Sequence, residues 1–383
     1  MTKYLKELDY KDLFFISTGH ILGAGIFVLL GKISKYAGYH SWLSILIAGF
    51  VAIWLAQSFI YISKKYKKND AEHEAIEETF GKKPSNLVTA GILLGNLMSC
   101  LVVAISFGGY FTHLLPGGHT FGSFVCIVLS AIVGVVGIKE TSLFTNITTI
   151  METSGLYLII GLGAFYLFKN YGKFKIALIS YFASLSTLSS FKSWKGILIG
   201  AFLIMFAFFG FETVIRFVEE SKKPLVDVPR AINHSLYFTT FTYLLIAITS
   251  VSVLSPDKLG DSIAPLADVI ETIPYGKIVA PYLSFTALVS TMNTFLLTST
   301  GVSRFINEYF KDISKKTGLG FLEYFTRLNS YTQTPVNATV LVNVIVVLLL
   351  MSKIGIVPAT AIGNIGIFVG LFAIKLADIM GKR

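Results

Sequence analysis

Long apolar stretches separated by short polar segments dominate this chain. A helix needs about 20 predominantly apolar residues to cross the hydrocarbon core of a bilayer. Stretches of roughly that length predict ten membrane-spanning helices at 12–36, 41–63, 86–115, 121–138, 146–169, 196–218, 234–255, 276–303, 336–352 and 356–377. The pattern is therefore typical of an all-α polytopic membrane protein. The first span follows a polar segment and is too long for the apolar part of a signal peptide, so we expect it to be retained.

Composition supports this assignment. Hydrophobic residues make up 54% of the 383 residues and charged residues only 14%, whereas soluble domains carry about 25% charged residues. The mean hydropathy is +0.69. Cys100 and Cys126 both lie inside apolar stretches, which favours small buried side chains over a disulfide. The bilayer must therefore surround most of the chain.

The basic residues carry topological information. Of the 32 Lys and Arg residues, 22 fall on the side of the N-terminus and ten on the other side. The positive-inside rule then predicts cytoplasmic N- and C-termini, and we expect a multi-pass protein of the cell (plasma) membrane. The connection between the fifth and sixth spans opposes this trend, because it holds five lysines on the predicted outside. The net charge of +10 accompanies no nucleic-acid-binding motif, so no nucleic-acid partner is expected.

Two spans contain glycine at matching positions. Gly23-Ala24-Gly25 interrupts the first span and Phe209-Gly210-Phe211 interrupts the sixth, five helices later. Broken helices at corresponding places in two halves indicate a binding site near the bilayer midplane, and the odd offset predicts inverted repeats at 12–169 and 196–377. A small-residue packing face formed by Gly19 and Gly23 is the alternative explanation for the first of these glycine clusters.

Further motifs accompany the two breaks in a fixed order. The chain reads Gly23-Ala24-Gly25-Ile26-Phe27, Phe209-Gly210-Phe211-Glu212, Glu219-Glu220 and Pro229-Arg230-Ala231-Ile232, with additional motifs at 78–81, 137–140, 264–268, 290–293, 303–304 and 334–338. In order and spacing they resemble the permeases of the amino acid/polyamine/organocation (APC) superfamily. The resemblance covers nearly the whole chain, although most members have twelve spans.

The resemblance implies a five-plus-five inverted-repeat, LeuT-like fold with spans 1 and 6 broken. It implies a secondary active transporter for an amino acid or related amine, in which the first break holds the substrate carboxylate and the sixth-span break receives the amine. The substrate-binding residues that it implies are Thr18, Gly23, Ala24, Gly25, Ile26, Phe208, Phe209 and Gly210. Phe208 is the candidate outer gate, and the alternative is an ordinary core or lipid-facing phenylalanine.

Ionisable residues inside spans are costly and call for a functional hypothesis. By this resemblance, Glu152 in the fifth span occupies the place where many sodium-independent relatives carry a lysine. A carboxyl group there would take up a proton on one side of the membrane and release it on the other, or would act as scaffold by hydrogen bonding. Glu212 would line the inner pathway or anchor helix packing. His20, one turn before the first break, would titrate, pair with Glu152, or make a structural hydrogen bond.

The remaining candidates concern ions and alternative functions. Ser290 and Thr291 lie where sodium-coupled proteins of this fold offer hydroxyl groups to Na⁺, but such hydroxyls mostly bond to the preceding helical turn, so H⁺ is the favoured coupling ion. The sequence contains no Walker A, zinc-binding or nucleophile-elbow motif. We therefore expect that the protein is not an enzyme and has no cofactor or metal site. A non-transporting amino acid sensor of the same fold is the alternative function.

Overall fold

The computed structural model describes residues 4–262, 265–274 and 276–381, apart from the side chains of Ala24, Val28, His113 and Val357. Within these ranges the chain forms fifteen α-helices, which are α1 (Tyr10–Ala37), α2 (Ser41–Tyr66), α3 (Ala71–Phe80), α4 (Lys82–Leu114), α5 (His119–Val136), α6 (Ile138–Lys169), α7 (Tyr171–Leu185), α8 (Phe191–Met205), α9 (Pro224–Val253), α10 (Pro256–Asp261), α11 (Pro265–Thr272), α12 (Gly276–Thr317), α13 (Glu323–Thr326), α14 (Val336–Met351) and α15 (Ile356–Gly381). The described residues contain no β-strand, only one isolated parallel bridge between Leu8 and Ser221.

Nine of the ten predicted spans lie within one of these helices, with no more than two residues beyond either end, and the sixth consists of α8 followed by two 3₁₀ segments, Phe206–Phe208 and Phe211–Glu220. Seven segments of the described chain are long and apolar enough to cross a membrane. α14 is shorter, with 16 residues, and α12 carries many Ser and Thr residues on its buried faces. The structure is therefore an all-α, multi-pass membrane protein, and the count of ten spans stays a prediction.

The first helix lies at the centre of the bundle. It packs against α6, α8, α9 and α12, and Leu22, Ile26 and Leu30 on it have no exposed surface. Since a lipid-facing helix keeps one exposed apolar face, burial around α1 indicates that other helices enclose it on most sides. A break in this helix therefore opens towards protein and not towards lipid.

Close glycine contacts bring α4 and α15 together. A Cβ atom on Gly366 would lie 2.3 Å from the carbonyl oxygen of Gly91, and one on Gly95 would lie 2.9 Å from the carbonyl oxygen of Gly363. Small residues at such crossings let helix backbones approach closely in a membrane, where packing replaces the hydrophobic effect between helices. The α4–α15 contact therefore depends on the absence of side chains.

We expect Gly366→Ala to lower the unfolding temperature, because the new methyl group overlaps the Gly91 carbonyl. Overpacking of this kind costs about 1–3 kcal/mol. Gly91→Ala is the matched control, since a Cβ atom on Gly91 meets no atom within 4 Å. Thermal unfolding of both purified variants measures the difference, and equal unfolding temperatures would contradict this account of the crossing.

Candidate substrate site between two broken helices

Both predicted breaks occur in the structure. The backbone of α1 leaves helical geometry at Gly23, with φ −3° and ψ −162°. In the sixth span Phe209 is extended and Gly210 adopts φ 125°, ψ −25°, a region that favours glycine because a Cβ atom is strained there. Helix breaks leave backbone N–H and C=O groups without their intrahelical partners.

The two breaks face each other closely. A Cβ atom on Gly25 would lie 2.8 Å from the Cβ atom of Ala207, and one on Gly210 would lie 2.9 Å from the carbonyl carbon of His20. Any side chain larger than hydrogen at either glycine would therefore separate the two segments. The glycines thus permit both the local backbone geometry and the contact between the first and sixth spans.

Tyr243 on α9 joins the two breaks. Its hydroxyl oxygen lies 2.7 Å from the carbonyl oxygen of Ile21 and 3.1 Å from that of Ala207, so its single proton is shared between them. Each carbonyl precedes a break and would otherwise lack its helical partner. Because unpaired backbone groups are costly at membrane depth, the buried Tyr243 side chain stabilises both interruptions at once.

A cavity of about 80 Å³ lies between the breaks. Backbone and side-chain atoms of Gly23, Gly25, Phe209 and Gly210 contribute to its wall. The remaining lining comes from His20 and Ile21 on α1, Asn96, Ser99 and Val103 on α4, Phe206, Ala207 and Glu212 in the sixth span, Thr294 and Thr298 on α12, and Ile367 on α15. A few polar groups from several helices thus line an otherwise apolar cavity, which is the usual composition of a small-ligand site.

A row of hydroxyl groups on α12 runs along α1. Ser290, Thr294 and Thr298 are spaced by four residues and therefore share one helix face. Thr294 and Thr298 each donate to the carbonyl four residues earlier, at 3.0 and 2.8 Å. The Thr298 hydroxyl also lies 3.0 Å from Nε2 of His20. His20 thus makes a hydrogen bond to α12, while its Nδ1 atom has no hydrogen-bond partner among the described residues.

Glu152 on α6 contacts the same face of α12 at a separate position. Its side chain is completely buried, and the Ser290 hydroxyl donates to Oε1 at 2.5 Å, whereas Oε2 has no partner among the described residues. The Thr291 hydroxyl donates to the carbonyl groups of Ala287 and Leu288. Because Ser290 and Thr298 lie about 12 Å apart along α12, the hypothesis that His20 pairs directly with Glu152 is wrong for this conformation.

Arg216 links the cavity to the helix that follows the second span. It donates to the Asn96 side-chain oxygen at 2.9 Å and to both carboxylate oxygens of Glu72 at 3.2 Å. Asn96 lines the cavity, and Glu72 lies on α3. Arg216 and Glu72 are each only 2% exposed. Glu212, one turn before Arg216, lines the cavity and accepts the Gly210 N–H at 2.8 Å.

A second buried ion pair lies further towards the N-terminal face. Arg304 on α12 donates to both oxygens of Glu220, at 2.6 and 2.8 Å. Beside it, the Leu8 N–H donates to the Glu220 carbonyl and the Lys222 N–H donates to the Leu8 carbonyl, at 3.0 and 2.9 Å. The N-terminal segment is thus tied to the end of the sixth span. Together with the Arg216–Glu72 pair, these contacts join the sixth span to α3, α12 and the N-terminal segment.

Several predicted site residues lie elsewhere. Phe208 does not line the cavity; it is fully buried, and its ring lies 5.3 Å from that of Tyr243, edge to face. Ile26 is also buried outside the cavity lining, and the hydroxyl of the buried Thr18 has no partner among the described residues. The side chain of Ala24 lies outside the described residues, as does Ala264 of the 264–268 motif. The aromatic residues that do line the cavity are Phe206 and Phe209.

Asp70, the residue directly before α3, is buried near other acidic side chains. Asp70 is 1% exposed, and its Oδ1 atom has no partner among the described residues. Burial first, then the negative charges of Glu74 and Glu308, raise the pKa of Asp70 to about 8. Lys68 has a smaller effect that lowers this pKa, and Asp312 has a still smaller one that raises it. Asp70 therefore holds its proton more tightly in the folded protein than in the unfolded chain.

Removal of Glu72 alone should destabilise the protein strongly. Glu72→Gln leaves the buried Arg216 charge without its partner, which costs about 3–5 kcal/mol. The double variant Glu72→Met/Arg216→Met should recover most of this loss, since no unpaired charge remains. The control is Glu78→Gln on the same helix, where an exposed ion pair with Lys65 contributes only about 0–1 kcal/mol. Equal unfolding temperatures for Glu72→Gln and Glu78→Gln would refute this role.

Asp70→Asn should stabilise the protein in a pH-dependent way. The folded pKa lies above the unfolded value, so wild-type stability falls as pH rises from about 4 to about 8. Asparagine resembles the protonated acid and avoids this loss. The gain in unfolding temperature over wild type should therefore be small near pH 5 and larger near pH 9, because proton binding to Asp70 is linked to folding. The exposed Asp257→Asn change is the control, and a gain independent of pH would contradict the assignment.

A family model described as amino acid permease matches residues 8–376. An uncharacterized transporter of Mycobacterium tuberculosis is 26% identical over 304 residues, covering 78% of this chain and 64% of that protein. The branched-chain amino acid permease BcaP of Bacillus subtilis is 26% identical over 271 residues, covering 65% and 55%. Cationic amino acid transporter 1 of Arabidopsis thaliana is 25% identical over 355 residues, covering 88% and 56%.

The chain thus spans between 55% and 64% of the length of these relatives. Among solved structures, MhsT in complex with L-phenylalanine superposes with a TM-score of 0.64 at 14% identity, covering 99% of this chain and 89% of that one. A Na⁺-coupled sialic acid symporter in a substrate-bound outward-open state gives a TM-score of 0.61 at 14% identity, covering 97% and 75%. These likenesses confirm the LeuT-like fold class.

The family resemblance drawn from the motifs is also confirmed, because the family model extends over nearly the whole chain and the named relatives include amino acid permeases and transporters. This is a family of membrane transporters and not of enzymes. The chain belongs to the amino acid permease family.

Proposed function

We propose that this protein is a secondary active transporter that carries an amino acid or related amine across the cell membrane by alternating access. The observation that carries the proposal is the cavity between the two broken helices, with Gly23 and Gly25 on one side and Phe209 and Gly210 on the other. Backbone groups freed at the α1 break bind the carboxylate, and those of the sixth-span break receive the amine.

The cavity favours a small, neutral substrate. Its volume of about 80 Å³ is well below the range of about 300–1,000 Å³ that is common for ligand pockets. Glu212, the acidic residue of the lining, already accepts the Gly210 N–H and lies one turn from the Arg216 charge. A cationic side chain would need an acid that is free to pair with it. We therefore assign the site to a small neutral amino acid.

Alternating access requires that the protein open towards each face in turn. The proposal assigns the N-terminal face to the cytoplasm, with both termini there, and places the two repeats at 12–169 and 196–377 as inverted halves. In the present conformation the pairs Arg216–Glu72 and Arg304–Glu220 support a closed cytoplasmic side. Release of substrate would then separate α3 and the N-terminal segment from the sixth span.

Glu152 is the proposed coupling residue, with H⁺ as the coupling ion. It is completely buried, it has one carboxylate oxygen without a partner among the described residues, and its other oxygen contacts α12, the helix that lines the cavity. Movement of α12 relative to α6 would change the solvation of this carboxyl group, and hence its protonation. Ser290 is engaged with Glu152, and Thr291 with its own helix, so a Na⁺ site at these hydroxyls has less support.

The sensor alternative finds no support in the comparisons, because the relatives named for an activity are permeases or transporters. A sensor of this fold would bind the same substrates without net movement. Transport into sealed vesicles therefore separates the two functions.

The uptake experiment uses protein reconstituted into liposomes and a panel of radiolabelled amino acids, with and without an inward proton gradient. Wild-type protein should accumulate small neutral amino acids, and the gradient should stimulate uptake. Glu152→Gln should abolish the stimulation while retaining exchange of substrate down its own gradient. Glu140→Gln on the same helix, where the glutamate is exposed, is the matched control and should behave like wild type.

Two outcomes would overturn parts of this proposal. Uptake that is indifferent to both the gradient and Glu152→Gln would make Glu152 a scaffold residue and remove proton coupling. Saturable binding of an amino acid without any uptake would remove the transporter function and restore the sensor.

A further inference from the structure

The connection between the fifth and sixth spans is strongly basic. Residues 168–196 hold Lys169, Lys173, Lys175, Lys192 and Lys195, and the chain has no Asp or Glu between Glu152 and Glu212. All five lysines are exposed. This segment therefore presents five positive charges and no acidic residue of its own, on the face of the protein opposite to the N-terminal segment.

The same connection contains an apolar helix that the protein does not cover. Ala177 is the single buried residue of α7. Ile176 is 64% exposed, Ile179 is 56% exposed and Phe182 is 65% exposed. Exposure of so many large apolar side chains to water would be unfavourable, whereas a helix of this kind is stable when it lies in the membrane interface. We therefore place α7 at the level of the lipid headgroups and upper acyl chains.

A groove runs beneath α7. It has a volume of about 400 Å³ and is lined by Trp42, Leu178, Tyr181, Phe182, Leu185 and Ile248. Ligand sites commonly have volumes of about 300–1,000 Å³. The lining is almost wholly apolar, and Trp and Tyr side chains are typical of the membrane–water boundary. The groove is therefore suited to a hydrocarbon chain near the membrane surface.

Several contacts fix the walls of the groove. The Tyr181 hydroxyl donates to the Ile248 carbonyl at 3.3 Å, and the Tyr181 ring lies edge-on to Tyr39 at 5.2 Å. The 3₁₀ turn that follows α7 is held where Thr187 lies 3.2 Å from Nε2 of His40. These contacts tie α7 and the turn after it to the neighbouring segments, so the walls of the groove are held in place by the fold.

The lysines lie where they can reach the head of such a lipid. Lys175 precedes Leu178 by three residues and therefore shares its side of α7. The ammonium group of Lys173 lies 6.0 Å from the centre of the Tyr166 ring, and that of Lys169 lies 4.9 Å from the Phe165 ring. Lysine stems that follow aromatic rings in this way carry the charge to the membrane surface.

We propose that this groove is a binding site for an anionic phospholipid, with an acyl chain between α7 and Trp42, the phosphate on Lys175, and Lys173 nearby in the first turn of α7. The charge of the segment favours this occupant over a zwitterionic lipid or an apolar helix of another protein, because neither of those needs a lysine-rich segment without acidic residues beside an apolar groove. Such a ligand would explain why a lysine-rich segment lies on the side opposite to the main basic loops.

Trp42 makes the proposal measurable. The chain has three tryptophans, and Trp54→Phe/Trp194→Phe leaves Trp42 as the single fluorophore. This variant is reconstituted into phosphatidylcholine vesicles that contain either dibrominated phosphatidylglycerol or dibrominated phosphatidylcholine at the same mole fraction. Bromine quenches tryptophan on contact, so the two quenching curves give the relative affinity of the groove for the two headgroups.

We expect phosphatidylglycerol to be favoured several-fold. In the same background Lys173→Gln/Lys175→Gln should lower that preference by up to roughly fivefold per lysine, equivalent to about 1 kcal/mol for each basic side chain at an anionic surface. The matched control is Lys82→Gln/Lys83→Gln, an exposed pair at the start of α4, which should leave the preference unchanged. Three results would each overturn the proposal: equal quenching by both lipids, a preference that survives removal of Lys173 and Lys175, or no quenching of Trp42. The last result would leave a protein partner as the occupant of the groove.

Discussion

The structure depends on one constraint, which is that backbone polar groups at membrane depth need partners inside the protein. An unbroken helix satisfies this requirement by itself. The first and sixth spans are broken at Gly23 and Gly210, and both breaks lie against other protein segments instead of lipid. Tyr243 satisfies carbonyl groups of both segments. Residues of both breaks border the cavity, where we propose that their backbone groups bind a polar ligand.

The buried charges follow from the same constraint. Arg216 and Arg304 are both almost completely buried, and each is paired with a glutamate of a neighbouring segment. Such pairs contribute little net stability compared with apolar residues of similar size, but their rupture is costly. They therefore suit a contact that must be either fully formed or replaced by hydration. That property fits a gate that closes on one side of the membrane while the other opens.

The sequence predicted the local features of the fold more reliably than its long-range contacts. Glycine clusters identify the breaks at Gly23 and Gly210, because the cause of a break lies in the broken segment itself. The roles of Tyr243 and Arg216 could not be predicted, since each depends on contacts with residues more than 100 positions away. Phe208 shows the limit of positional transfer. It lies in the predicted segment, but its ring packs against Tyr243, and helix rotation brings Phe206 and Phe209 to the cavity instead.

The groups freed by the two helix breaks are proposed to bind the two charged ends of an amino acid. The most direct test is displacement of a bound radiolabelled amino acid, chosen as the one taken up fastest, by analogues that lack one end. Each charged hydrogen bond contributes about 1.5–3 kcal/mol. For L-alanine as substrate, ethylamine and propionate should each displace it more than roughly tenfold less effectively than unlabelled alanine. Displacement by either analogue as effective as that by alanine would contradict the claim.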